Sequence, residues 1–187
     1  MSDEYLTILN SVDFFNEFTL DEKREIAEAK SNITVYANGD YIIKQGDVDL
    51  TIFVLLQGEA SVFKQEIPNV EIARLKPGSV FGEMSAILKA VRTTHVVAKS
   101  AGTMALKLDS DLWEILNPKT CHKFNEQFLS VLALRISDMN STISNLKLKL
   151  ETVVNAHHEI IKRVNDNSTM LEESLKYVDN TLQKSDQ

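Results

Sequence analysis

Apolar positions follow three different rhythms along the chain. Up to about Lys30 they cluster as Phe14-Phe15, Phe18 and Leu20. Thr19, with Glu22 three residues later, is a capping-box pattern that predicts a helix running through Ile26 and Ala29. From about Asn32 to Leu108, short β-type runs alternate with turns. Ile33-Thr34-Val35-Tyr36 precedes Asn38-Gly39-Asp40, and Tyr41-Ile42-Ile43 precedes Gln45-Gly46-Asp47. Thr51 to Leu56 stops at Gln57-Gly58-Glu59, Ala60-Ser61-Val62-Phe63 follows, and Val70 to Leu75 alternates up to Lys76-Pro77-Gly78. His95-Val96-Val97-Ala98 and Met104 to Leu108 complete the set. Strands this short, at this spacing, predict a mainly β jelly roll or antiparallel barrel. All six glycines (39, 46, 58, 78, 82 and 102) lie in this window, so the flanks are expected to be helical.

The third rhythm is helical. Ser110 can cap a short helix through Trp113 and Leu116, which Asn117-Pro118 breaks. Beyond it, positions spaced alternately four and three apart form a seam: Leu132, Ile136, Met139, Ile143, Leu146, Leu150, Val153, His157, Ile160, Val164, Asn167, Leu171, Ser174 and Val178. A mostly apolar seam over this many heptads predicts a coiled coil, roughly 70 Å long at 1.5 Å per residue. One small domain cannot cover such a stripe, so a homodimer through this helix is expected. Leu132 to Val153 is its firmest part. Asp166-Asn167-Ser168-Thr169 with Glu172 behind it reads as a place where one helix ends and another is capped. A parallel pair would also set Asp166 against Glu172 and Glu173 against Asp179. The expected domains are therefore 1–116, a jelly roll with N-terminal helices, and 117–187, the dimerising helix.

Composition narrows the function. Net charge is −7 with a pI near 5.1, so nothing global favours nucleic acid or anionic lipid. The longest apolar run, Ile52 to Leu56, is too short for a membrane span, and the acidic N-terminus lacks the pattern of a signal peptide. Cys121 is the single cysteine, which fits a reducing compartment. A cytoplasmic protein with no membrane or nucleic-acid partner is expected.

One stretch carries chemistry. Phe81-Gly82-Glu83-Met84-Ser85-Ala86-Ile87-Leu88-Lys89-Ala90-Val91-Arg92-Thr93-Thr94 brackets an apolar turn between a carboxylate and a guanidinium. Ionised Glu83 only accepts hydrogen bonds and Arg92 only donates them. The pair suits a small ligand with a hydroxyl at one end and a phosphate at the other.

Together, Gly39-Asp40, Gln45-Gly46-Asp47, Phe53-Val54-Leu55, Gly58, Pro77-Gly78, Phe81-Gly82-Glu83 and Arg92-Thr93 resemble the cyclic-nucleotide-binding domain family, in order, over about Leu9 to Leu116. The resemblance implies an eight-stranded jelly roll holding a short phosphate-binding helix. It implies that Gly82 lets the backbone approach the ligand and that Glu83 accepts from the ribose 2′-hydroxyl. The N–H groups near Met84 and Ser85 would face the cyclic phosphate, Arg92 would neutralise it, and Thr93 would lie beside phosphate and base. Leu88-Lys89-Ala90-Val91 lacks the glycine or proline often found before the arginine, so a longer cassette helix is expected. A lid over the base would come from Asp138, Met139, Asn140 or Ser141. Thr93 could bond guanine, but it also occurs in members that take cAMP, and family frequency favours cAMP over cGMP.

Other classes fit less well. Metal-dependent jelly-roll enzymes need clustered ligands, and of His95, His122, His157 and His158 only His95 lies in the β region. No catalytic residue, metal or cofactor is expected, only the ligand cAMP or cGMP. A helix-turn-helix with a basic face is not expected after the coil, nor direct DNA binding. Two readings remain: a sensor passing ligand state to an unknown downstream protein, with Asn117-Pro118 as hinge, or a coiled-coil scaffold in which the roll binds nothing and Glu83 pairs with Arg92.

Overall fold

Local sequence chemistry sets the helical start of the chain. The computed structural model describes residues 2–29 and 32–185. Helix α1 (Ser2–Ser11) leads through a 3-10 turn (Asp13–Phe15) to α2 (Leu20–Glu28). The capping box at α2 forms as expected: the Glu22 N–H donates to the Thr19 hydroxyl (3.3 Å) and the Thr19 N–H to the Glu22 carboxylate (2.7 Å).

Eight strands follow: β1 (Ile33–Tyr36), β2 (Tyr41–Ile43), β3 (Ile52–Gln57), β4 (Ala60–Phe63), β5 (Ala73–Leu75), β6 (Val80–Phe81), β7 (His95–Ala98) and β8 (Thr103–Leu108). They form two four-stranded antiparallel sheets, ordered β1-β8-β3-β6 and β2-β7-β4-β5. Two apolar cores result. Ile43, Phe53, Leu55, Phe81, Val96 and Ala98 belong to one. The other joins the first sheet's Val54, Leu106 and Leu108 to Phe14, Phe15, Phe18, Ile26 and Leu112. All six glycines have positive φ, and Gly58 shows why that type is needed: a Cβ there would lie 2.6 Å from the Ser100 hydroxyl and 2.9 Å from the Thr103 Cα.

Two strands differ from the sequence reading. The run Val70 to Leu75 pairs only from Ala73, because the Val70 N–H closes a turn onto the Ile67 carbonyl (3.0 Å). The eighth strand is the two-residue β6, a run too short to register as one.

The helical end holds further corrections. Helix α4 (Ser110–Ile115) is capped by Asp109, not Ser110. Asp109 is extended and its carboxylate accepts from the Leu112 N–H (3.1 Å), while Ser110 is already helical and bonds Asp111. Helix α5 (Pro118–Ser185) opens at the expected break, with the Asn117 side-chain oxygen accepting from the N–H groups of Lys119 (2.8 Å) and Thr120 (3.1 Å). Proline as the first helical residue forfeits no bond. The Glu25 carboxylate of α2 in turn accepts from the Asn117 side chain (3.2 Å) and the Thr120 hydroxyl (2.5 Å), anchoring the junction.

The chain divides into two units, Met1–Leu132 and Ala133–Gln187, so the first turns of α5 belong with the barrel. Phe124 explains this, being buried with Phe14, Phe15, Phe18 and Trp113 around it at 4.9–6.2 Å between ring centres. The second unit is helix alone. It does not end at Asp166-Asn167-Ser168-Thr169: the Thr169 hydroxyl turns back to the Asn165 carbonyl (3.1 Å) inside an unbroken helix instead of capping a new one. Lys30, and the side chains of Glu173, Val178 and Asp179, lie outside the described residues.

Candidate functional site

The site is built at the end of β6. Gly82, with φ +80°, turns the chain out of the strand and directly into helix α3 (Glu83–Leu88). This helix ends at Leu88, earlier than expected, because Lys89 takes a left-handed conformation (φ 50°) usually left to glycine. The Lys89 and Ala90 N–H groups both reach the Ser85 carbonyl, and the buried Ser85 hydroxyl donates to the Val91 carbonyl (3.2 Å). A tight return thus delivers Arg92 beneath the turn that began at Gly82.

Arg92 is only 2 % exposed. Nη1 donates to the Gly82 carbonyl (2.8 Å), and Nη2 to the Thr51 carbonyl (2.6 Å) and to the Asp49 carboxylate. Its guanidinium carbon lies 5.8 Å from the centre of the Phe53 ring, which stacks on Phe81. The Nε–H is buried and has no partner among the described residues. A cation so deep with a donor unspent is an expensive arrangement unless something else is to be bound.

Glu83 is buried in the first turn of α3, while Met84 and Thr93 are exposed. Gly82, Glu83, Ser85 and Arg92 are therefore brought together, with Met84 and Thr93 at the outer side. The scaffold reading pairs Glu83 with Arg92; the ion pair that Arg92 forms here is with Asp49. Asp49 sits in the β2–β3 loop, whose Gly46 N–H donates to the Arg92 carbonyl (2.8 Å) and whose Asp47 carbonyl accepts from the Arg92 N–H (2.9 Å). Burial pushes the Asp49 carboxyl up, but hydrogen bonds from Thr51 and Arg92, and the charge of Arg92, outweigh it and hold the group below its ordinary value. Asp138, Met139, Asn140 and Ser141 belong to the second unit and are exposed on α5. Among the described residues no cluster of His, Cys, Asp or Glu could hold a metal, and no helix is long and apolar enough to cross a membrane.

Gly82 is the site's most demanding backbone position. A Cβ would lie 2.8 Å from Arg92 Nη1 and 2.9 Å from the Thr51 carbonyl, at a φ that alanine resists. Gly82→Ala should therefore lower stability by about 2–4 kcal/mol in chemical unfolding, the sum of backbone strain and a displaced buried guanidinium. A variant as stable as wild type would show that this turn tolerates a side chain.

Comparison with known proteins agrees with this geometry. Residues 33–117 match the sequence model of the cyclic nucleotide-binding domain. A cGMP-dependent protein kinase (egl-4) of Caenorhabditis briggsae is 31% identical over 111 residues, which cover 58% of this chain and 15% of the kinase. Isozyme 1 of the Drosophila melanogaster cGMP-dependent kinase is 34% identical over 90 residues, 46% of this chain and 12% of the kinase. The chain thus spans a small fraction of these relatives. Among solved structures, a cyclic nucleotide-binding domain from Methylobacillus flagellatus superposes with a TM-score of 0.57 at 28% identity, covering 73% of this chain and 79% of that one. The cAMP-bound regulatory domain of Toxoplasma gondii PKA shares the fold, with a TM-score of 0.52 at 21% identity over 73% of this chain and 50% of that one. Strand order, cassette turn and buried arginine all sit within residues 33–117, the segment that matches the cyclic nucleotide-binding domain family.

Proposed function

We propose that this domain binds a cyclic nucleotide, cAMP ahead of cGMP, and that the chain is a homodimeric sensor passing ligand state to a partner protein through α5. The observation that carries the reading is Arg92: a buried guanidinium, folded under the Gly82–Glu83 turn, with an Nε–H donor left over. A cyclic phosphate is a monoanion, and arginine stays charged at every relevant pH. Glu83 would repel that phosphate, so a ribose hydroxyl is its natural partner. Gly82 and the N–H groups of Met84 and Ser85 would line the phosphate, with Thr93 beside the base and Asp138, Met139, Asn140 or Ser141 supplying a lid. The seam of exposed apolar residues on α5 supports the dimer.

Two observations favour competing readings. An exposed Thr93, together with the likeness to cGMP-dependent kinases, favours cGMP. The existing Arg92–Asp49 pair favours a scaffold whose roll is purely structural, since the cation is already matched. Calorimetric titration with cAMP and cGMP side by side separates all three. Saturable binding with the tighter constant for cAMP is expected. A tighter constant for cGMP reverses the base preference, and no saturation by either ligand leaves the scaffold.

A further inference from the structure

The outer face of the β2-β7-β4-β5 sheet holds a feature that nucleotide binding does not use. Val96 and Ala98 point into the core, so His95 and Val97 point out. Their cross-strand neighbours on that face are Phe63, opposite His95, and Tyr41, opposite Val97. With the start of the β4–β5 connection these residues line a groove of about 290 Å³. Tyr41 is half exposed and packs edge-on against His95 at 5.2 Å.

The rim is basic in a chain that is acidic overall. Lys64 and Lys99 line the groove, and Lys44 reaches over Tyr41. Lys99 Nζ lies 4.9 Å from the Phe63 ring centre and Lys44 Nζ 5.7 Å from that of Tyr41. None of the three lysines forms an ion pair with the described residues. Of the neighbouring carboxylates, Glu71 is held by Arg74 and Ser61 and Glu59 by Arg74, while Glu66 takes the Gln45 side chain and keeps its charge. Glu66 lies within electrostatic reach of Lys64 and His95, and Glu71 of Lys99, without a direct ion pair to either lysine. His95 adds a donor. Its Nδ1 accepts from the Gln45 N–H (3.0 Å), so the neutral ring carries its proton on Nε2.

We propose that this groove is a docking site for an acidic peptide segment of another protein. One aromatic side chain of that segment seats against Tyr41, Val97 and Phe63, and its flanking carboxylates meet Lys44, Lys64 and Lys99. Exposed rings supply contact area at low entropic cost, and unpaired lysines over them supply the sign that an acidic partner requires. This gives the sensor's output a place and a chemistry, yet it stands on the groove alone and not on nucleotide binding.

The test is fluorescence anisotropy of the full chain with a labelled peptide bearing one tryptophan between pairs of glutamates. A lysine-flanked version serves as the opposite-charge control. Saturable binding of the acidic probe is expected, weaker at higher salt, and weakened by about tenfold or more in Lys64→Glu/Lys99→Glu. Amide resonances of Phe63, His95 and Val97 should shift on binding. Unchanged far-UV circular dichroism and chemical unfolding would certify the variant's fold whether or not the chain binds cyclic nucleotide, so failure here and failure of the nucleotide reading are told apart. Equal binding of both peptides, no saturation, or indifference to the charge reversal overturns the proposal.

Discussion

Arg92→Ala is expected to weaken cyclic-nucleotide binding by about thirtyfold or more in calorimetric titration. Removing one partner of a buried, hydrogen-bonded charge pair costs about 2–5 kcal/mol, and each 1.4 kcal/mol is about a factor of ten. Micromolar binding does not survive the upper half of that range. The residue also holds the Gly82 and Thr51 carbonyls and Asp49, so stability must be followed in parallel. Arg92→Lys separates the two roles. It keeps the charge, but one ammonium cannot replace a planar fork that reaches three acceptors, so an intermediate loss is expected. A dissociation constant unchanged in Arg92→Ala removes this residue from the ligand site.

The same pair sets an acid limit. Asp49 titrates below its ordinary range in the folded chain, so its contribution is complete above the unfolded carboxylate value and is lost as pH falls through the lowered one. At neutral pH the clamp is fully formed. Mild acidification toward pH 5 leaves it intact.

Both ends of the candidate site were legible because their spacing is local. Glu83 and Arg92 bracket a turn that glycine must open, and sequence order alone places them at its two ends. Asp49 was not legible. It lies 43 residues before Arg92, and the run Gly46-Asp47-Val48-Asp49 offers two carboxylates with nothing local to choose between them. The signal available was the general one that a buried arginine needs an acid. Folding resolves the choice: Asp47 spends its backbone carbonyl on Arg92, and Asp49 presents its side chain. The cassette's exit was misread for a related reason. Propensity ends helices at glycine, whereas here the Ser85 carbonyl, held by two N–H groups, stops the helix with a lysine in the left-handed position. At Asp166 to Thr169 the error runs the other way. Residues that cap when a chain bends are tolerated inside a long helix when their hydroxyls turn back on the preceding turn.

Replacing Ile143 and Leu150 together with asparagine is expected to convert a dimer into a monomer. In the single chain, Ile136, Met139, Ile143, Leu146, Leu150 and Val153 are 47–64% exposed along one stripe of α5. A solitary helix with such a stripe gains nothing from tertiary packing, and packing supplies most helical stability in proteins. Burying each of these side chains against a second copy would contribute roughly 1.5–3 kcal/mol, so a few layers suffice for association at micromolar concentration. Two layers turned polar, one on each side of Leu146, forfeit that gain and leave amides in the seam. Light scattering should give wild type near twice its 21.1 kDa mass and the variant near 21.1 kDa. Helical circular dichroism should fall with it, because the freed α5 loses its partner. Nucleotide titration of the variant should still saturate, since Arg92, Asp49 and the cassette turn all lie in the first unit. A wild-type chain that scatters as a monomer sinks the coil whatever the cassette does, and a variant that remains dimeric moves the interface elsewhere.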